Sequence, residues 1–437
     1  HGNHKVHNEI FENLQDVQGI STLIDLPGPK IRLGQVDGKL TVIPGDVIHF
    51  TTAPVLGSKK DLSVSYMYLP QEVKVGGSLF INDGVIEIRI TEVDKDLQGF
   101  KGTTVSGGEI TSNKGVNVPG ANLSLRPPTE ADLVGIKYGV GLCDWFAASF
   151  IRESSDVERV RQAIKNAGGE QPIISKIEHQ EAILNIDSII DASDGIMVAR
   201  GDLGIEVPPW EVPLLQKHII EKCRRVGKPV IVATQMLESM VSNPRPTRAE
   251  ASDVANAILD GADAVMLSEE TAIGLFPLES VRVMDNINRT IENKVSMGAV
   301  ESKEIEGSIA DIIGKLAREA SDSLKPAAIL VVTRTGFSAR MVSKHRPQTP
   351  ILAVAKDLRV KNMMRLFWGV EPLDVSWTED RDELIKRSIN DCLEIGHIKD
   401  DDRVMVVSGS SLEEPGRTST LEILNVRDVL VHTKKAE

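Results

Sequence analysis

Residues 172–203 read PIISKIEHQEAILNIDSIIDASDGIMVARGDL. A short apolar run, PIISKIE, leads into HQEAILNIDSIID, which has helical periodicity, and then into a second apolar run, GIMVARGDL. Short runs without polar alternation fit strands buried on both faces, and strands joined through a helix lie parallel. The first run ends with Lys176 and Glu178 two positions apart. Side chains two apart on a strand face the same way, so a cation and a carboxylate point at one spot. A surface salt bridge explains one such pair, so a chemical reading needs support from the rest of the chain.

The unit recurs. DWFAASF (144–150), PVIVATQML (229–237) and ADAVMLSEET (262–271) are further strand-like runs. DVERVRQAIKNAG, PLLQKHIIEKCRRVG and RAEASDVANAILDG are helical by periodicity. An earlier apolar run, ISTLIDL (20–26), follows a helical stretch at residues 3–18. The series predicts a (β/α)8 barrel, with an open doubly wound sheet as the alternative. Between residues 30 and 118 the texture changes to short alternating runs such as KLTVIPGDVIHF and GGSLFINDGVIEIRI, cut by Gly, Asp and Asn turns. This is an all-β module inserted in the barrel. GAVESKEIEG (298–307) reads as a linker, and AAILVVT, PILAVA, VEPLDV, RVMVVSG and LEILNV with intervening helices form a smaller C-terminal α/β domain. The expected divisions are residues 1–27 (first barrel part), 28–119 (β lid), 120–299 (second barrel part) and 300–437 (C-terminal domain).

With 437 residues the chain exceeds one ordinary core, which agrees with several domains. A net charge of −13 argues against nucleic acid or an anionic membrane as partner. The cysteines, Cys143, Cys223 and Cys392, are scattered without metal spacing, which fits a reducing cytoplasm. No signal peptide and no apolar run of membrane-spanning length is seen. The chain opens at His1-Gly2 without an initiator Met and is expected to be a fragment.

In each barrel-like strand the polar residues fall at the C-terminal end: Asp25, Lys176 with Glu178, Asp202, Thr234, and Ser268 with Glu270. In a (β/α)8 barrel these ends share one rim, where active sites form. Glu178 and Asp202 are hard oxygen ligands on neighbouring strands and suit Mg²⁺ or Mn²⁺; zinc is disfavoured, with no His or Cys placed for it. Beside a metal, Lys176 can stabilise charge on a transferring phosphoryl group or an enolate. Backbone N–H groups at Gly201 and Asp202 can hold a carboxylate, and Thr234 and Ser268 can orient substrate or relay a proton. Neither a P-loop nor a Rossmann fingerprint is present.

At these residues the sequence resembles the pyruvate kinase family along its whole length. SKIEHQEAI, MVARGDLGIEVP, VATQMLESM, PRPTRAEASDVANAILDGADAVMLSEETAIG and KGVNVPG are similar to its signatures. The resemblance implies transfer of a phosphoryl group from phosphoenolpyruvate to ADP, giving pyruvate and ATP, in a cytoplasmic glycolytic enzyme, commonly a homotetramer. It implies Glu178 and Asp202 as metal ligands and Lys176 as the group stabilising phosphoryl transfer and the enolate. Thr234 matches a substrate-contacting threonine, Ser268 a hydroxyl on the proton path, and Arg32 an arginine that holds phosphate. His1 and Lys114 match nucleotide contacts, Lys114 from a lid that closes over the site.

Four departures from the family pattern stand out. The segment preceding HG in the family, with an arginine, an asparagine and a serine, is missing. The barrel is therefore expected to lack its first two strands, and this polypeptide alone to be less than fully active. The family's DTKGPEIR reads DLPGPKIR (25–32), so Lys30 stands where K⁺-dependent members have glutamate. With Asp25 and Leu26 it marks the monovalent-cation site, and its ammonium is expected to replace K⁺. His179 replaces the usual residue after the glutamate, with little effect expected, and Glu269 replaces a glycine, with no role assigned. In the C-terminal domain Thr333, Thr335, Gly336 and Ser338 form a loop that matches a sugar-phosphate effector site or serves as an ordinary helix cap. The rival readings are another metal-dependent barrel enzyme forming or consuming a pyruvate enolate, and a catalytically silent form.

Overall fold

The computed structural model describes residues 4–14, 16–94, 96, 98–294, 308–409 and 418–433. The linker at 298–307 lies outside the described residues. Six parallel strands, Leu23–Leu26, Trp145–Ala148, Ile173–Ile177, Gly195–Ala199, Val230–Ala233 and Ala264–Val265, pair in chain order. The order never reverses, so the sheet has no switch point of the doubly wound kind. It is the curled sheet of a (β/α)8 barrel, with six of its strands among the described residues.

Alternation along these strands builds two cores. Phe146, Ile173, Ile177, Ile196, Val198, Val230 and Val232 face the surrounding helices. Trp145, Ala147, Ile174, Met197, Ile231 and Ala233 face inward and join a cluster shared with the C-terminal domain. This is why the strands read as continuous apolar runs: both faces are dry. The helices are delimited by local chemistry. Thr129 and Thr247 close reciprocal capping boxes with Asp132 and Glu250. Gly261 ends the helix Arg248–Asp260 at φ 101°, a conformation a side chain would strain.

The lid is a seven-stranded sheet running, in spatial order, Ile31–Arg32, Gly115–Asn117, Ser78–Ile81, Ile86–Val93, Gly99–Ser106, Val47–Thr51 and Asp61–Ser63. Its own core holds Phe50 stacked on Phe100 at 5.1 Å between ring centroids. The C-terminal domain is a five-stranded sheet whose last strand, Thr420–Asn425, is antiparallel to Arg403–Ser408. That domain grips the barrel at the N-terminal ends of the strands. Arg346 donates to Asp263 Oδ1 and to the Gly261 carbonyl, both at 2.8 Å, and Asn362 donates to Asp144 Oδ1 at 2.9 Å. The opposite rim is left for the lid. No helix among the described residues is long and apolar enough to cross a membrane.

Candidate active site

The C-terminal strand ends bring the sequence-predicted groups together. Lys176 Nζ lies 3.1 Å from both Glu178 Oε1 and Asp25 Oδ2 and donates to Ser149 Oγ at 2.9 Å. Glu178 is 1% exposed, and its second oxygen accepts the Phe150 N–H at 2.7 Å. Burial opposes the charge on Lys176, but Glu178 and Asp25 outweigh it and hold the ammonium above its ordinary value. Burial pushes Glu178 up, and the carboxylates of Asp202 and Asp25 add to that push against Lys176 and the Phe150 amide.

The structure moves Asp202 off the strand end. The strand stops at Ala199, and Asp202 sits in the first turn of the helix Arg200–Glu206. A carboxylate there is favoured by the helix dipole. Its Oδ1 accepts from Lys30 Nζ at 3.0 Å, so Lys30 meets Asp202 while Asp25 pairs with Lys176. Gly201 lies inside the same turn, and its N–H is already spent on Thr234 Oγ1 at 2.8 Å. Arg200 braces the next strand end, donating to the Thr234 carbonyl at 2.7 Å and to Asp253.

Three non-glycine residues at these ends adopt left-handed backbone: Phe150 at φ 57°, Thr234 at φ 69° and Gln235 at φ 54°. Such conformations cost on the order of 1–3 kcal/mol each and persist where surrounding structure enforces them, typically at functional sites. Gly28, in the strand-to-lid turn, is required sterically: a Cβ would stand 2.9 Å from both Cβ and O of Ser149. Ser268 precedes the short helix Glu269–Ala272, and its hydroxyl is buried with no hydrogen-bond partner among the described residues. Glu270 accepts from the Ser268 N–H at 2.7 Å and the Leu237 N–H at 2.9 Å, locking the last two strand ends together.

The remaining predicted residues are spread out. Arg32 is exposed on the lid edge and donates to the Asn113 carbonyl at 3.1 Å, beside half-buried Lys114. Leu26 is 1% exposed and belongs to the barrel core. His1 lies outside the described residues. In the C-terminal loop Thr333 Oγ1 accepts the Gly336 N–H at 3.1 Å, and Ser338 Oγ pairs with Thr418 Oγ1 at 2.6 Å. Those two hydroxyls are buried and spent within the domain, while Thr335 is exposed.

Comparison with known proteins settles the kinship. The family description "Pyruvate kinase, barrel domain" matches residues 1–281, and "Pyruvate kinase, alpha/beta domain" matches residues 311–424. The chain is 41% identical over 444 residues to a pyruvate kinase of Sporosarcina psychrophila, covering 98% of this chain and 75% of that protein. It is 40% identical over 439 residues to pyruvate kinase 2 of Synechocystis, covering 98% and 74%. The chain belongs to the pyruvate kinase family. Pyruvate kinases depend on a divalent metal, and the donors here fit one. Glu178 and Asp202 are hard carboxylates close enough that, beyond burial, Asp202 adds to the push that raises Glu178. Among the described residues no group of three or more His, Cys, Asp or Glu side chains forms a ready-made cage. Two carboxylates leave positions for water and substrate oxygens, as Mg²⁺ sites usually do.

A pyruvate kinase reading by motif missed residues that the fold brings in. Ser149 and Phe150 end the apolar run DWFAASF, and only the strand register places them on Lys176 and Glu178. Arg152 is 3% exposed and donates to the Leu123 and Leu125 carbonyls, at 2.9 and 3.1 Å, on the chain returning from the lid. His179, assigned little effect from sequence, caps the helix Gln180–Leu184 by accepting the Glu181 N–H and lies 3.3 Å from Glu206. Burial lowers His179 to about 4, with Arg152 and Arg126 adding to it, and burial raises Glu206 to about 7. Nothing in one sequence marks Glu206, which looks like an ordinary helix-surface residue.

Proposed function

We propose that this chain transfers the phosphoryl group of phosphoenolpyruvate to ADP, producing pyruvate and ATP as a glycolytic enzyme of the cytoplasm. The observation that carries this is Lys176, held between Glu178 and Asp25 at 3.1 Å on the rim that also presents Asp202. Such a transfer needs positioning and charge neutralisation more than covalent chemistry. Glu178 and Asp202 would hold Mg²⁺ or Mn²⁺, which when bound supplies a counter-charge for phosphoryl and enolate oxygens. Lys176 keeps its proton and stabilises negative charge on the transferring group and on the enolate left behind. The Thr234 hydroxyl, fixed by the Gly201 amide, orients the substrate. The Ser268 hydroxyl, without a hydrogen-bond partner among the described residues, can pass a proton toward the enolate. Arg32 and Lys114 on the lid edge, with His1, receive phosphates of the nucleotide as the lid closes.

Lys30 carries a fixed positive charge to Asp202, which supports turnover without K⁺. The divisions at 27/28, 119/120 and 299/300 serve as the domain boundaries of this reading, and a homotetramer as its assembly. The test is pyruvate formation from phosphoenolpyruvate with Mg²⁺, measured with and without ADP and with K⁺ replaced by a tetraalkylammonium ion. Turnover that requires ADP and ignores K⁺ is expected. Pyruvate release without ADP would instead point to a lyase or phosphatase chemistry on the same rim.

A further inference from the structure

We propose that the seam between the barrel and the C-terminal domain holds a single halide ion, chloride in the cell, with Arg224 and Lys228 on the barrel side and Arg340 and Lys344 on the other. Pro229 and Asp263, which also line this space, directly precede the strands Val230–Ala233 and Ala264–Val265. The site therefore lies at the N-terminal ends of the barrel strands, away from the catalytic rim. It goes beyond the phosphoryl-transfer reading and does not depend on it.

A cavity with about 210 Å³ of empty space lies here. Most of it is crevice between side chains, and its centre takes one water-sized body. Arg224 stands in the last turn of the helix Val212–Val226, and Lys228 follows Gly227, which ends that helix at φ 71°. Arg340 belongs to the helix Phe337–Ser343, and Lys344 follows it. The two sides are in close contact: a Cβ on Gly227 would stand 2.7 Å from Met341 Cε. Among the described residues the one carboxylate lining this space is Asp263, and it is spent. Its Oδ1 accepts from Arg346 at 2.8 Å and from the Trp368 N–H at 3.2 Å, and its Oδ2 accepts the Val230 N–H at 3.0 Å.

The four cations are incompletely compensated. Lys344 has Asp311, which it shares with His345. Lys228 gives its ammonium to the Ile190 and Asp191 carbonyls at 2.6 and 2.7 Å, and carbonyls carry no net charge. Arg340 Nε is buried without a hydrogen-bond partner among the described residues, and the guanidinium lies over the Phe337 ring at 5.5 Å. Burial accordingly lowers Arg340 and Lys228, with Asp194 offsetting part of it, and lowers Arg224 to about 10 with Arg346 adding to the fall. Water does not cure such a deficit. These side chains bring only N–H donors, whereas a water molecule carries no charge and must find acceptors for its own hydrogens. A halide ion fits the same space, accepts from several directions and cancels one charge where burial makes a lone cation costly. A phosphate group is too large for the centre of the cavity.

The test uses the whole chain in buffers of matched ionic strength whose anion is chloride, bromide, gluconate or phosphate. Thermal unfolding is read in each, and anomalous diffraction is read from crystals grown in bromide. Chloride and bromide are expected to raise Tm above its value in gluconate, saturably, and bromide to give an anomalous peak between Arg224 and Arg340. Arg340→Met removes the cation whose Nε has no partner and should weaken halide binding about tenfold, read as a shift of the saturation midpoint. Lys176→Ala, at the catalytic rim, should keep the halide-dependent gain with its midpoint unchanged. Equal Tm in chloride and gluconate overturns the proposal, as does an unshifted midpoint in Arg340→Met. A gain given by phosphate and not by chloride also overturns it, and loss of the gain in Lys176→Ala places the ion at the rim instead. If Arg340→Met does not fold, the bromide peak in the wild type decides alone: a peak at the seam upholds the site and its absence there sinks it.

Discussion

Lys30 places its ammonium 3.0 Å from Asp202, although 172 positions separate them in the chain. The strand-to-lid turn therefore delivers a fixed cation to a carboxylate assigned to the metal. Replacing Lys30 by Glu should remove that charge and add a repelling one. We expect kcat to fall at least tenfold in K⁺-free buffer and to recover in part when K⁺ is added, whereas the wild type stays indifferent to K⁺. A Lys30→Glu chain equally active in both buffers would dismiss Lys30 as the substitute cation.

Lys176→Ala leaves Glu178 buried with its chief counter-charge gone. Turnover should drop by about 10²-fold or more, as for other groups that meet charge developing in the transition state. The lid core and the second C-terminal cluster lie apart from Lys176, so the variant should retain native circular dichroism. Turnover within threefold of wild type would remove Lys176 from the mechanism.

Strain at the Thr234–Gln235 turn predicts a gain in stability where activity is not directly touched. Gln235 is exposed at φ 54°, so Gln235→Gly relieves left-handed backbone and should raise unfolding free energy by about 0.5–1 kcal/mol. Thr234→Val, by contrast, deletes the acceptor of the Gly201 amide and should lower kcat. Chemical denaturation of both variants checks the first expectation, and steady-state kinetics checks the second. A Gln235→Gly chain no more stable than wild type would show that the turn is not under strain.

Part of the acid lability should originate in the C-terminal domain. Burial, with Lys344 adding to it, lowers His345 below its ordinary 6.5 despite the hydrogen bond to Asp311. The unfolded chain then binds a proton on His345 that the folded chain refuses, so stability falls as pH drops below 6.5. Asp311 is held below its ordinary 3.8 by Lys344 and His345 against its burial, so its contribution is present above 3.8 and is lost at lower pH. In His345→Gln the stability difference between pH 7.5 and pH 5.5 should shrink. An unchanged difference would assign that acid sensitivity elsewhere.

Much of this site is legible in the sequence. Lys176 and Glu178 sit two apart on a strand, and that period alone aims both at one rim. The strand runs were legible because parallel strands buried on both faces carry no polar alternation. From the sequence Asp202 reads as a strand-end residue, yet it belongs to a helix: the apolar run GIMVA continues into RGDL, and periodicity cannot mark where a strand yields to a first helical turn.

The sequence by itself determined the β/α alternation, the inserted β module, the separate C-terminal domain and the identities of the charged groups at the strand ends. These follow from local periodicity and from which residue types water excludes. Tertiary structure alone decided the partners. It set Lys30 on Asp202, the Phe150 amide on Glu178, and His179 beside Glu206. Each of these contacts depends on strand register, on the lid's return path or on a left-handed residue at a strand end. Such contacts join segments far apart in the chain, and their energies are set by burial that no local pattern encodes.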